Sequence, residues 1–298
     1  MKKLFVALFV LVSCSSNAQN GTQDTPDSVQ DDKQFLSEVV YQKEDSVLVE
    51  KMLRQTPDGN PVLFYARQFI GKPYVAHTLE VHDPEYLVVN LRGLDCTTYV
   101  ETVLALVMTK QEGKTRFTDY CRNLEKVRYR GGKRDGYLSR LHYWTWWMHD
   151  NIDKGILTDV QDATYFTGKM VVANDYMTKH PNAYRIIKAH PEFLPEITRM
   201  EKAQNGPDGR YLPTASTGLP QSKLKMISDG DVVGIVKMSG GIDISHLGFV
   251  AWGKDGKMHL LNASSLAKKV VEDPATLQQY LQRQKRLGVR ILKVNIEQ

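Results

Sequence analysis

The sequence predicts an α+β fold: a central helix packed on an antiparallel sheet, with further helices inserted between them. Three observations carry this. Gly93 to Lys110 (GLDCTTYVETVLALVMTK) places Val100, Val103, Leu104, Leu106 and Val107 around most of a helix surface, as a buried helix requires. Four β-rich runs, at 232–236, 246–252, 258–264 and 289–296, crowd the last third between turn signals. Helical apolar spacing dominates the rest.

In chain order, Phe35, Val39, Val40, Val47, Val49 and Leu53 recur at helical spacing, and a short amphipathic segment runs from Pro61 to Ile70 before Gly71. After the central helix, helical patterns cover Thr115 to Val127, Ser139 to Asp153, Ala183 to Ala203 with breaks at Pro191 and Pro195, and Pro274 to Leu287. The stretch 137–225 is too long for a simple connection and reads as an insertion of helices and loops.

Composition narrows the function classes. With 42% hydrophobic and 24% charged residues the 298-residue chain is globular. Its net charge of +5 falls to +3 once Lys2 and Lys3 leave with the first thirteen residues, which is no footprint for nucleic acid. Basic runs at Lys126 to Arg130 and Arg283 to Arg286 are interrupted or short, and read as solvated faces. Cys14, Cys96 and Cys121 are too scattered for a disulfide framework or a thiolate metal site. His142 and His149 stand seven apart with no third ligand evident, so neither metal nor cofactor is expected.

The N-terminus reads as an address. Lys2 and Lys3 precede an apolar run from Leu4 to Val12 that suits an export signal and is too short to span a bilayer. Leu11, Val12, Ser13 and Cys14 resemble a bacterial lipobox, which would make 1–13 a signal peptide and Cys14 an acylated anchor; the alternative is a plain signal cut near Ala18. Residues 14–34, rich in Ser, Asn, Gln and Asp, read as a disordered tether, leaving 35–298 as the folded domain, sited in the bacterial cell envelope facing the periplasm.

Cys96 opens the central helix, where unpaired amides and the helix dipole are expected to favour a thiolate, with Asp95 at the cap partly opposing them. A base is found in GGIDISHLGFVAWGKDGKMHLLNASS: a hairpin loop of Lys254, Asp255 and Gly256 pairs Gly253 with Lys257. In that register Asn262 lies opposite Gly248, on the His246 face and one diagonal step away, while His259 points to the other face. A thiol, an imidazole and an amide that holds the imidazole's tautomer form a cysteine-hydrolase constellation.

GLDCTTYVET, DGDVV (229–233), ISHLGFV (244–250) and NASS (262–265) resemble the cysteine amidases of the NlpC/p60 superfamily, in particular its N-acetylmuramoyl-L-alanine amidase-like branch, from about Phe35 to the C-terminus. The resemblance implies a papain-like core with Cys96 as nucleophile, His246 as general base and Asn262 as orienter. It implies cleavage of the amide between N-acetylmuramic acid and L-alanine in peptidoglycan fragments, soluble anhydromuropeptides included. At position 262 a His often precedes Ala-Ser in the superfamily, and this chain has Asn. The resemblance also puts Ser139, Arg140 and Tyr143, on one face of an expected helix, near the substrate groove, with Asp95 a further contact. The competing readings are a D-glutamyl-diamino-acid endopeptidase and a non-catalytic peptidoglycan-binding lipoprotein. Asp231 is expected to brace a turn in preference to contacting His246, Tyr74 to sit in a surface turn with a place by the cleft as the alternative, and Cys121 to fill the core.

Overall fold

The computed structural model describes residues 26–295, so the signal segment, Cys14 and the first part of the tether lie outside the described residues. The chain divides into units 1–37 and 38–298. In the first, helix α1 (Pro26–Leu36) takes in residues 26–34 that composition assigned to the tether. Lys33 in its last turn faces the negative helix end, a local signal that overall polarity hides.

The second unit carries helices α2 (Lys43–Leu53), α3 (Pro61–Arg67), α4 (Cys96–Gln111), α5 (Phe117–Arg128), α6 (Trp144–Asp153), α7 (Tyr176–Lys179), α8 (Arg185–Ala189), α9 (Leu194–Gln204) and α10 (Leu277–Arg283). Strands β1 (Val39–Val40) and β2 (Leu87–Val88) pair in parallel. The main sheet joins β3 (Leu157–Asp159), β4 (Gly168–Val172), β5 (Gly206–Pro213), β6 (Val232–Ser239), β7 (Ile242–Trp252), β8 (Met258–Ser264), β9 (Lys269–Thr276) and β10 (Gly288–Val294). Their order is β4-β5-β10-β6-β7-β8-β9, with β3 also on β10, and every pairing is antiparallel.

Helix α4 is buried on nearly every side. Its Tyr99 ring meets Phe249 of β7 edge-on at 5.6 Å. Val233, Ile235, Val250, Leu260 and Ile291 of the sheet form a core with Leu277 and Leu281 of α10. Cutting one such leucine to alanine typically costs about 2–5 kcal/mol.

Four expectations fail here. The pattern beginning at Phe35 is no single helix, because β1 interrupts it. The expected helix at 139–153 begins only at Trp144: Tyr137–Ser139 forms one tight turn and Arg140 is extended, bridging to Tyr129. The insertion holds strands as well as helices, since β3, β4 and β5 widen the sheet. In β5 the sequence GPDGRYLP has no strand-like alternation, and only Leu212 and Pro213 pair with β10, so the strand is formed by tertiary pairing against local preference. Finally, Pro195 does not break a helix; it sits in the first turn of α9, where its missing N–H costs nothing.

Candidate active site

Asp95 caps α4 reciprocally: its carboxylate accepts from the Thr98 amide at 2.8 Å, and its own amide donates to the Thr98 hydroxyl at 2.9 Å. This cap fixes where the helix starts, and therefore where Cys96 points. The Leu247 amide and the Thr97 amide and hydroxyl face the sulfur. They do not yield the expected thiolate. Burial first, and the Asp95 charge second, push the Cys96 thiol up to about 12, because desolvation opposes the charged form more than the helix end favours it.

The hairpin has the expected register: Phe249 faces Leu261, Ala251 faces His259, and the Gly253 amide donates to Lys257 O at 2.8 Å. Gly256 takes the left-handed conformation at φ 70°. Asn262, fully buried, accepts at Oδ1 from His246 Nε2 at 2.8 Å, while its Nδ2 donates to Leu260 O at 3.2 Å. The carbonyl of Leu260 can only accept, so the amide has one orientation. The ring then carries its proton on Nε2 and leaves Nδ1 as the base. Burial lowers the His246 pKa below the ordinary value, against the raising effect of Asn262. His259 turns away to Asp273 O and Asp255.

Two features make room for this arrangement. A Cβ on Gly248 would stand 2.7 Å from Leu261 O and 3.0 Å from the Asn262 Cβ, so only glycine lets the hairpin close beneath the ring. An irregularity in the β6–β7 ladder, where Ile235 faces His246 but Val236 faces Ile244, inserts Ser245 as an unmatched residue. Such bulges re-aim side chains beside functional sites, and here Ile244, Ser245, His246 and Leu247 all line one cavity.

That cavity, about 170 Å³, also takes in Cys96, Thr97, His142, Tyr143, Trp144, Trp147 and Tyr184. Among the described residues no hydrogen bond joins the thiol to the His246 ring, although both line this cavity. A neighbouring cavity of about 210 Å³ shares Thr97, Leu141, His142 and Tyr184 with it and continues to His77, Glu80, Asp95 and Arg140.

The other candidates fare unequally. Tyr143 lines the Cys96 cavity, but its hydroxyl donates to Glu201 at 2.7 Å and accepts from the Met177 amide at 2.8 Å. Arg140 reaches only the neighbouring cavity and is buried, held by Glu80 and Glu85, so neither a free substrate donor nor a solvated side chain describes it. Ser139 lines a separate cavity of about 400 Å³ with Arg130 and Arg199, away from Cys96. These three do not share a helix face, because the helix they were assigned to starts after them. Asp231 accepts from the Ser228 amide, as a turn brace does, and burial pushes it up to about 7. Cys121 is buried.

Tyr74 is not simply in a surface turn. Its strand-like bridge to Leu94 sets it near the start of α4, and burial, then Cys96 and Asp95, push its hydroxyl up to about 12. Sequence reasoning also missed Tyr280 of α10, whose ring stacks on His246 at 6.5 Å, and Tyr184; no local motif marks either.

The carboxylates around both cavities are committed. Asp95 caps α4, and Glu101 binds Arg128 at 2.7 Å. Glu80 binds Arg140, while Asp243 accepts from Thr145 and the Ile244 amide.

The family model of AmiA-like, N-acetylmuramoyl-L-alanine amidase-like proteins matches residues 65–289. An N-acetylmuramoyl-L-alanine amidase from Bacteroides uniformis is similar, with 37% identity, 79% of this chain and 97% of that one covered, and a TM-score of 0.72. A Bacteroides fragilis protein described as a candidate xylanase shares 38% identity over 77% of this chain and 99% of its own, with a TM-score of 0.70. A Legionella pneumophila protein at 22% identity, covering 84% of this chain and 93% of its own with a TM-score of 0.64, shares the fold. No curated protein matches. By the extent of the family match and the identity to the solved relatives, the chain belongs to the N-acetylmuramoyl-L-alanine amidase-like family.

Proposed function

We propose that this protein is a cysteine amidase that cleaves the amide between N-acetylmuramic acid and L-alanine in peptidoglycan fragments, soluble anhydromuropeptides included. The observation that carries the reading is Cys96 at the start of α4 lining one cavity with His246, whose ring Asn262 holds at 2.8 Å. The helix-on-sheet arrangement around it supports the papain-like, NlpC/p60 type of core, and the reading calls on no metal or cofactor.

In this mechanism the resting pair is neutral. As substrate binds, His246 Nδ1 takes the thiol proton while sulfur attacks the lactyl carbonyl, and the amides at the α4 end receive the developing oxyanion. The proton passes to the alanine nitrogen, the C–N bond breaks and the stem peptide leaves. Water, deprotonated by the same ring, then releases the sugar from its thioester.

The xylanase description of one relative invites a glycosidase reading, but that chemistry needs two free carboxylates about 5–9.5 Å apart. Asp95, Glu101, Glu80 and Asp243 are each held by a helix cap, a guanidinium or hydroxyl and amide donors, which favours amide cleavage. Product mass spectrometry on a disaccharide tetrapeptide tests the reading. Free disaccharide and intact peptide are expected; a shortened stem on the sugar means an endopeptidase, and no product means binding alone.

Cys14 is proposed as the lipid anchor that holds the enzyme on an envelope membrane, facing the periplasm. Among the described residues no helix is long and apolar enough to cross a bilayer, so attachment of this part would rest on that anchor. A palmitate analogue should label the wild type and not Cys14→Ser; an unlabelled wild type removes the anchor.

A further inference from the structure

His142 stands where the two cavities meet, lining both, and has no role in the chemistry described above. Its Nε2 lies 3.0 Å from Tyr137 O. A carbonyl oxygen only accepts, so Nε2 carries the ring proton and Nδ1 is left with a lone pair. That nitrogen has no hydrogen-bond partner among the described residues. The ring is held in place: it lies 4.5 Å from the Tyr137 ring, and Tyr137 is itself covered by the Arg140 guanidinium at 5.0 Å. Burial, and after it the Arg140 charge, keep the imidazole well below its ordinary pKa.

We propose that His142 is a positioning residue whose Nδ1 accepts a hydrogen bond from a substrate amide N–H next to the scissile bond, setting the register of the substrate across the two cavities. The inference rests on the amidase reading. A fixed lone pair at this junction selects a donor and offers nothing to a carbonyl or carboxylate. A muropeptide has two such donors near the scissile amide, the alanyl-glutamyl amide of the stem and the acetamido group of the sugar.

The test compares wild type, His142→Leu and His142→Gln on three substrates: the parent muropeptide, one with an ester in place of the alanyl-glutamyl amide, and one with an acetoxy group in place of the acetamide. Wild type that releases no peptide from the parent refutes the amidase reading itself. With an active wild type, His142→Leu should lower kcat/KM about ten- to a hundredfold on the parent, mainly through KM. Unassisted alkylation of Cys96 by iodoacetamide should keep its wild-type rate, and His142→Gln, which retains an acceptor, should recover part of the loss. On the analogue that lacks the recognised N–H, wild type and His142→Leu should become equal, and which analogue does this identifies the donor. Equal penalties for His142→Leu on all three substrates, with no rescue by Gln, would reduce His142 to a packing residue and overturn the proposal.

Discussion

The hairpin β7–β8 with the start of α4, and the stretch from Tyr137 to Tyr184, face the same cavity and are built on different physics. In the first, regular elements aim every side chain: a helix cap fixes Cys96, and a ladder register fixes Asn262 against His246. In the second, the turn at Tyr137–Ser139, the extended Arg140 and the start of α6 are held by pairings from distant parts of the chain, Arg140 to Glu80 and Glu85, Tyr143 to Glu201, Thr145 to Asp243. The proposed chemistry sits on what local sequence determines, and the cavity wall on what tertiary structure determines.

The sharpest way to break that contrast is Cys96→Ala. Turnover should fall by about 10⁴-fold or more with thermal stability nearly unchanged, read by product release and melting. A well-folded variant that keeps its activity would take the nucleophile away from this residue. Arg140→Ala should behave the opposite way: it strands Glu80 and Glu85 in the interior, and loss of a buried partner typically costs about 3–5 kcal/mol. Denaturant unfolding that leaves stability intact would mean this wall does not depend on its buried charges.

A smaller effect is expected at the orienting amide. Asn262→Ala leaves thiol and imidazole in place but frees the ring tautomer, so turnover should drop roughly ten- to a thousandfold. Asn262→His should retain much of it. His259→Ala, on the other strand face, should act through stability alone, and a His259 variant that is folded but dead would contradict the register.

The mildest effect concerns charge. Burial lowers the His246 pKa and raises that of Cys96, so at neutral pH both are uncharged. The base form of His246 then predominates at neutral pH, and kcat/KM should fall on acidification at lower pH than an ordinary imidazole would give, read from an initial-rate pH profile. Iodoacetamide should alkylate the free enzyme slowly at neutral pH and faster as pH rises, contrary to the fast labelling that a helix-end thiolate would give. Rapid alkylation at neutral pH would restore the thiolate expected at the helix end.

This contrast also explains what could be read in advance. The position of Cys96, the face shared by His246 and Asn262 and the outward turn of His259 followed from a cap, a three-residue loop and the period of a strand, all local rules. The thiol's protonation did not, because the burial that raises it, and outweighs the Leu247 and Thr97 amides, exists only in the assembled fold. Arg140 was misplaced for the same reason. YLSRLHYWTWW has the apolar spacing of a helix throughout, and it is the buried ion pairs of Arg140, invisible in the sequence, that accompany its extended backbone. Strand β5 shows a third form of this, a Gly- and Pro-bearing segment made strand by its neighbours β4 and β10.

The central claim is that the sulfur of Cys96 carries the sugar side of the substrate between the two half-reactions. Acid-quenched wild-type enzyme, taken during turnover of a disaccharide tetrapeptide and digested, tests it by mass spectrometry. The account predicts a muramyl disaccharide joined as a thioester to the peptide containing Cys96, absent in Cys96→Ala. A stem-peptide fragment on that cysteine, or the sugar adduct on any other residue, would contradict it.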